Sequence, residues 1–129
     1  MTSTLISNKP PYLRLDLMVN PKEPTYSEDQ VEALFDSGFS GDVSVPAELV
    51  GNGKAPPPEG HVPITIADGS VVWVPSYEGH VTFKEFAGRI PQPIGVSVFV
   101  MGNEVLVGRN LMNHFKVTLD HGRTLTIEP

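Results

Sequence analysis

Val31-Glu32-Ala33-Leu34-Phe35-Asp36-Ser37-Gly38-Phe39-Ser40 is the stretch on which the reading of this chain turns. An apolar run, broken once by Glu32, leads straight into Asp-Ser-Gly. Val31 and Phe35 suit a buried strand, and Gly38 suits a sharp reversal where a Cβ would collide. A carboxylate on the end of a buried strand is destabilising if it stays ionised and unpaired, so the fold compensates it or uses it. The tripeptide alone also fits a plain strand-ending turn, since all three residues favour turns.

A second apolar run, Val105-Leu106-Val107, ends in Gly108 and is followed by Arg109-Asn110-Leu111-Met112. Two glycine turns therefore stand at 38 and 108, with a hairpin-rich segment between them. The pairing resembles the retropepsin-like aspartic proteases, the family of the retroviral proteases and their cellular and bacterial relatives. Members carry Asp-Thr/Ser-Gly after an apolar strand, then aliphatic residues and Gly, often continuing Arg-Asn-Leu. Asp36-Ser37-Gly38 matches the first element and Leu106 to Leu111 the second, and the resemblance runs from about Tyr12 to the end. Either motif alone is weak; both in order are moderately specific.

Composition sets the bounds. The chain has 129 residues, enough for one core and too few for two. Thirteen prolines and twelve glycines point to many turns and short strands rather than a helical bundle. No cysteine means no disulfide or thiol chemistry, and is compatible with a reducing compartment. A net charge of -6 without a basic cluster disfavours nucleic acid. No apolar stretch is long enough to span a bilayer, and Met1 to Pro11 lacks the apolar core of a signal peptide. The expectation is a soluble, cytoplasmic, all-β protein with a loose N-terminal arm over 1–11 and a single domain over 12–129.

Along the chain, Tyr12 to Val19 alternates as a half-buried strand, with Leu13, Leu15, Leu17 and Val19 on one face. Asn20 to Pro24 reads as a polar turn and Tyr26 to Gln30 as its extension, so the next strand begins at Val31. Asp42 to Val45 fits a short strand, and Pro46 to Val50 a helical turn stopped by Gly51. Gly51 to Gly60 lacks the Walker spacing and reads as a loop. His61 to Ala67, Asp68-Gly69 and Ser70 to Val74 form the clearest hairpin in the sequence, on which Trp73 reads as a packing residue. Strand continues over Pro75 to Phe83, and Lys84 to Arg89 turns. Ile94 to Met101 reads as a strand buried on both faces. Gly102-Asn103 turns the chain back, Arg109 to His114 is a short helix with Leu111 and Met112 inward, and Phe115 to Leu119 and Arg123 to Glu128 alternate around His121-Gly122.

The resemblance implies a closed all-β acid-protease barrel with one short helix near the C-terminus and a flap hairpin. It also implies a chemistry. A single Asp-Ser-Gly cannot hold two catalytic carboxylates, whereas acid proteolysis needs two that share a proton. A two-fold homodimer in which each subunit supplies Asp36 solves this, with a polypeptide bound extended between them. By the same resemblance Ser37 locks the two turns across the dimer, Gly38 approaches the dyad and substrate, and Gly108 and Arg109 support the site. Phe39 and Ser40 would touch substrate, as would the flap tip Ile66, Ala67, Asp68, Gly69, Ser70 and Val71. Val72 and Val107 join Phe39 as candidate pocket residues. Ser40-Gly41 departs from the two aspartates of the retroviral pattern, which leaves the partner of Arg109 open between Asp42 and Asp16.

Other chemistries fit less well. His61, His80, His114 and His121 show no zinc-ligand spacing, so no metal or cofactor is expected. Gly-x-Ser-x-Gly is absent, which disfavours a serine hydrolase. A retropepsin-like module that binds or dimerises without cleaving stays open as the alternative.

Overall fold

The computed structural model describes residues 5–7, 12–20, 26–50, 57–66, 68–86, 91–121 and 123–128. Alternation builds its first long strand. In β2 (Tyr12–Val19) the four aliphatics at 13, 15, 17 and 19 are buried, while Arg14 and Met18 are exposed. A slip of one residue would turn that whole apolar set to water, so the pattern fixes the register.

β3 (Tyr26–Phe35) pairs antiparallel with β2 and starts earlier than the sequence indicates. Tyr26 to Gln30 is strand, not connection. Ser27, Glu28 and Asp29 are all exposed, so no apolar period marks them. The register shifts between Leu15 and Leu17, opposite Gln30, whose φ is 54°. Asp16 holds this bulge together, its Oδ1 accepting from Gln30 N at 2.8 Å and from Gln30 Nε2 at 3.1 Å.

The chain continues through β4 (Val43–Val45), a 3₁₀ turn at Ala47–Val50, β5 (Gly60–Thr65) and β6 (Val71–Thr82). A second 3₁₀ turn at Lys84–Phe86, β7 (Ile94–Val100) and β8 (Leu106–Val107) follow. Pairing runs in the order β2-β3-β8-β4-β7-β6, and β6 returns to β2 to close a barrel of six strands. At the closure a Cβ on Gly79 would lie 2.6 Å from Val98 and 2.7 Å from the Met18 carbonyl, so only glycine fits there. Inward-facing Leu15, Ala33, Val43, Val45, Val81, Val98 and Val107 are fully buried. Phe83, Phe86 and Phe115 lie with ring centroids 5.4 to 6.0 Å apart and pack onto that core.

Closure also corrects the reading of β7. Val96 and Val98 point inward, but Gly95 and Ser97 are exposed. A barrel strand has one face on the core and one outside it, so it alternates. Outside the barrel, β5 and β6 extend as the expected hairpin. Short helix α1 (Arg109–Met112) buries Leu111 and Met112. It leads to β9 (Lys116–Asp120) and β10 (Thr124–Glu128), and within the segment read as an arm β1 (Leu5–Ser7) pairs with β10 in a separate three-stranded sheet. The alternation of β9 buries little, with Leu119 51% exposed.

The turn at 21–24, the loop over 51–56, the end of the turn at 87–90, Ala67 and Gly122 lie outside the described residues. No helix among the described residues is long and apolar enough to cross a membrane.

Candidate active site

Consecutive strands β3 and β4 are not neighbours. β8 lies between them, parallel to β3 and antiparallel to β4. The loop from Asp36 to Asp42 therefore has to pass over the end of β8, where Gly108 sits. A Cβ on Gly108 would come within 2.2 Å of the Gly41 carbonyl oxygen and 2.6 Å of that of Phe39. Glycine at 108 is thus what lets the Asp-Ser-Gly loop lie down.

Three successive N–H groups then fasten the loop. Gly108 N donates to Asp42 O at 2.9 Å, Arg109 N to Phe39 O at 2.8 Å and Asn110 N to Gly41 O at 3.2 Å. Asp36 N donates to Val107 O at 2.9 Å, which ties the other end to β8. The half-buried Asp36 carboxylate accepts from Gly38 N at 2.8 Å through Oδ1. A Cβ on Gly38 would lie 3.1 Å from that oxygen, a tight contact that glycine avoids. Ser37, Gly38 and Ser40 are exposed beside it.

Phe39 turns the other way. It is buried, its ring edge-on to Phe99 at 6.1 Å, so its side chain packs beneath the loop instead of facing outward. Val107 is fully inside the barrel and cannot line a pocket. Val72 is exposed on the hairpin.

Asp42, which the sequence offered only as a possible partner of Arg109, is instead a side-chain clamp. Its Oδ1 accepts from Asn110 Nδ2 at 2.6 Å and its Oδ2 from Ser97 N at 2.9 Å. One carboxylate thereby joins the Asp36–Asp42 loop, α1 and β7. Asp16 is likewise engaged, by Gln30 and by Lys84 at 3.8 Å, so neither carboxylate considered for Arg109 is bound to it. Arg109 itself is exposed. Replacing Asp42 by Ala leaves the Ser97 N–H and the Asn110 amide without their acceptor. A loss of about 2 kcal/mol is expected in urea unfolding, with no change in slope.

Register identifies further residues. Leu34 pairs with Leu106, Leu106 with Ser44, Ser44 with Phe99, and Phe99 with Ser76. Partners in a ladder share a face, and this row alternates with core residues Ala33, Val107, Val43 and Val98. It therefore runs across the outside of the barrel, starting two residues before Asp36. On the hairpin the same face continues through Val74 and Val72, opposite Val62 and Ile64. Leu34, Leu106 and Phe99 are half-buried, and Ser44 is completely buried. Parity with Asp36 was the available signal, but it needed the strand order to be read.

At the hairpin tip Ile66 N donates to Ser70 O and Gly69 N to Ile66 O, both at 2.9 Å. Gly69 has a φ of +87°, which L side chains rarely adopt. Asp68 Oδ1 accepts from Ser70 Oγ at 2.6 Å and from Ser70 N at 2.8 Å. Those bonds hold the Asp68 carboxyl below its ordinary pKa. Ile66, Asp68, Gly69, Ser70 and Val71 are all exposed. Trp73 does not pack as expected; it is 67% exposed, opposite Pro63. Among the described residues no cluster of His, Asp and Glu is placed to hold a metal ion.

A strand-borne Asp-Ser-Gly loop, crossing a second glycine turn in a closed barrel with one projecting hairpin, has a solved counterpart. A crystal structure of a retropepsin-like aspartic protease from Rickettsia conorii superposes with a TM-score of 0.60. The alignment covers 99% of this chain and 92% of that one.

The fold is retropepsin-like.

Sequence identity in that alignment is 15%, so the likeness concerns the fold. No family model matches the chain, and no curated protein does. Within the retropepsin-like frame, Asp36 occupies a half-buried loop beside an apolar face, and the β5–β6 hairpin extends that face.

Proposed function

We propose that the chain is a homodimeric aspartic endopeptidase, with one Asp36 from each subunit activating a shared water. The observation that carries this reading is the Asp36-Ser37-Gly38 loop pinned across Gly108 in a retropepsin-like barrel. Two such carboxylates at close range share one proton, because like charges that near cannot both ionise cheaply. The ionised member takes a proton from the water as it attacks the scissile carbonyl carbon, and the protonated member donates to the carbonyl oxygen.

Each residue then has a part. Ser37, exposed on the loop, bonds to the partner's turn across the two-fold axis. Gly38 leaves the carboxylate accessible from the substrate side. Gly108 seats the loop, and the Arg109 N–H holds the Phe39 carbonyl. A peptide lies extended over the row from Leu34 to Phe99, covered by the β5–β6 hairpin acting as a flap. The flap contacts substrate through Ile66, Asp68, Gly69, Ser70 and Val71, and the loop through Ser40. Phe39 shapes the wall from beneath.

The experiment is digestion of a peptide library at mildly acid pH, with and without a statine-type inhibitor. Inhibitor-sensitive cleavage supports the reading. A chain that stays monomeric and cleaves nothing supports a silent binding module instead.

A further inference from the structure

The row of side chains leading away from Asp36 contains one atom that the folded chain does not explain. Ser44 is completely buried, and its Oγ has no hydrogen-bond partner among the described residues. It stands between Leu106 and Phe99 on the outer face of β4, with hydrocarbon on either side. A hydroxyl can donate once and accept twice, and burying it unbonded is unfavourable, whereas alanine there would avoid the cost altogether. Folding alone therefore gives no reason for serine at this position.

Its location gives one. Leu34 and Asp36 lie on one side of β8, and Ser44 and Asp42 on the other, so Ser44 lies on the strand face over which a peptide would run, beneath its neighbours' side chains. Leu34, Leu106 and Phe99 are half-buried, and the row opens outward at these three. Phe39 backs it by edge contact with Phe99. Gly41 leaves space for that contact, since a Cβ there would meet the Phe39 ring at 2.7 Å and Phe99 at 3.0 Å. Ser44 Oγ is covered in the free chain, so it would reach the floor of a pocket on rotation of the Leu106 and Phe99 side chains, a change of the size that binding commonly produces.

We propose that Ser44 is a specificity-determining residue, its Oγ hydrogen-bonding a hydroxyl-bearing substrate side chain, that of threonine, held among Leu34, Leu106 and Phe99. The inference rests on the peptide-binding reading of this face. A pocket of hydrocarbon alone separates threonine from its isostere valine poorly, and favours valine. A pocket with a buried unpaired hydroxyl reverses that order, because valine leaves the hydroxyl unbonded.

The test uses peptides differing only by Thr or Val at each position flanking the cleaved bond. Hydrolysis is measured on the native chain and on Ser44→Ala, and binding is measured on Asp36→Asn and on Asp36→Asn combined with Ser44→Ala. Thermal unfolding of Ser44→Ala confirms that it folds. A Thr preference of about tenfold at one position, falling to about one or reversing in Ser44→Ala, is the expected result. Cleavage with the same Thr:Val ratio in both chains overturns the pocket and leaves the hydrolytic reading standing. Binding with a Ser44-dependent Thr preference, but no hydrolysis, supports the pocket and removes the enzyme. Neither binding nor hydrolysis overturns both.

Discussion

Asp36→Asn is expected to lower kcat/KM for the proposed peptide hydrolysis at least about a thousandfold, while leaving the fold in place. The substitution removes both carboxylates of the pair at once, since each subunit of the proposed dimer carries it. The structural cost is small. Asp36 is half-buried, and among the described residues its side chain takes one hydrogen bond, from the Gly38 N–H to Oδ1. An asparagine carbonyl oxygen accepts the same bond from the same position. Thermal unfolding within about 1 kcal/mol of the native chain is therefore expected, so lost activity reports chemistry and not collapse. Folded protein that retains its hydrolysis would remove Asp36 from the mechanism.

Gly108→Ala is expected to do the opposite, acting on structure first. The new Cβ meets two backbone carbonyl oxygens, at 2.2 Å and 2.6 Å, and the Phe39 ring at 2.7 Å. Carbonyl oxygens in a loop held by three N–H donors cannot move aside singly. Relief requires lifting the Asp36–Asp42 loop off β8, which breaks the bonds from Gly108, Arg109 and Asn110. A loss of about 3 kcal/mol or more follows, read by denaturant unfolding, and activity falls with it. Unchanged stability would mean that the crossing of loop over β8 is looser than the contacts imply.

Much of this architecture was legible because the residues obey a period. Leu13, Leu15, Leu17 and Val19 declare β2, and Asp68-Gly69 between two alternating runs declares the hairpin. Leu111 and Met112 turn inward as expected, from a helix that ends at Met112 instead of His114. The first half of β3 was invisible because Ser27 to Asp29 face water and carry no apolar signal. β7 misled in the other direction, since Val, Phe and Ile so dominate it that the exposure of Gly95 and Ser97 is hard to see.

At the candidate site, Asp36, Gly38 and Gly108 could be picked from the motifs alone, and the structure brings them into one crossing. The roles of Asp42 and Ser44 could not. Both depend on β8 inserting between β3 and β4, a long-range pairing that no local pattern encodes. The same insertion hides Phe39 beneath the loop and Val107 inside the barrel, although their apolar character had made both look like pocket walls. Trp73 is the converse case, an aromatic that a core reading claims and the hairpin leaves largely in water.

The most direct measurement mixes native chain with Asp36→Asn at a fixed total concentration, under conditions in which subunits exchange. If each site needs one Asp36 from each of two chains, activity follows the square of the native fraction and an equal mixture retains about a quarter. A linear decline, with about half retained, would contradict a shared site and place all the chemistry within one chain.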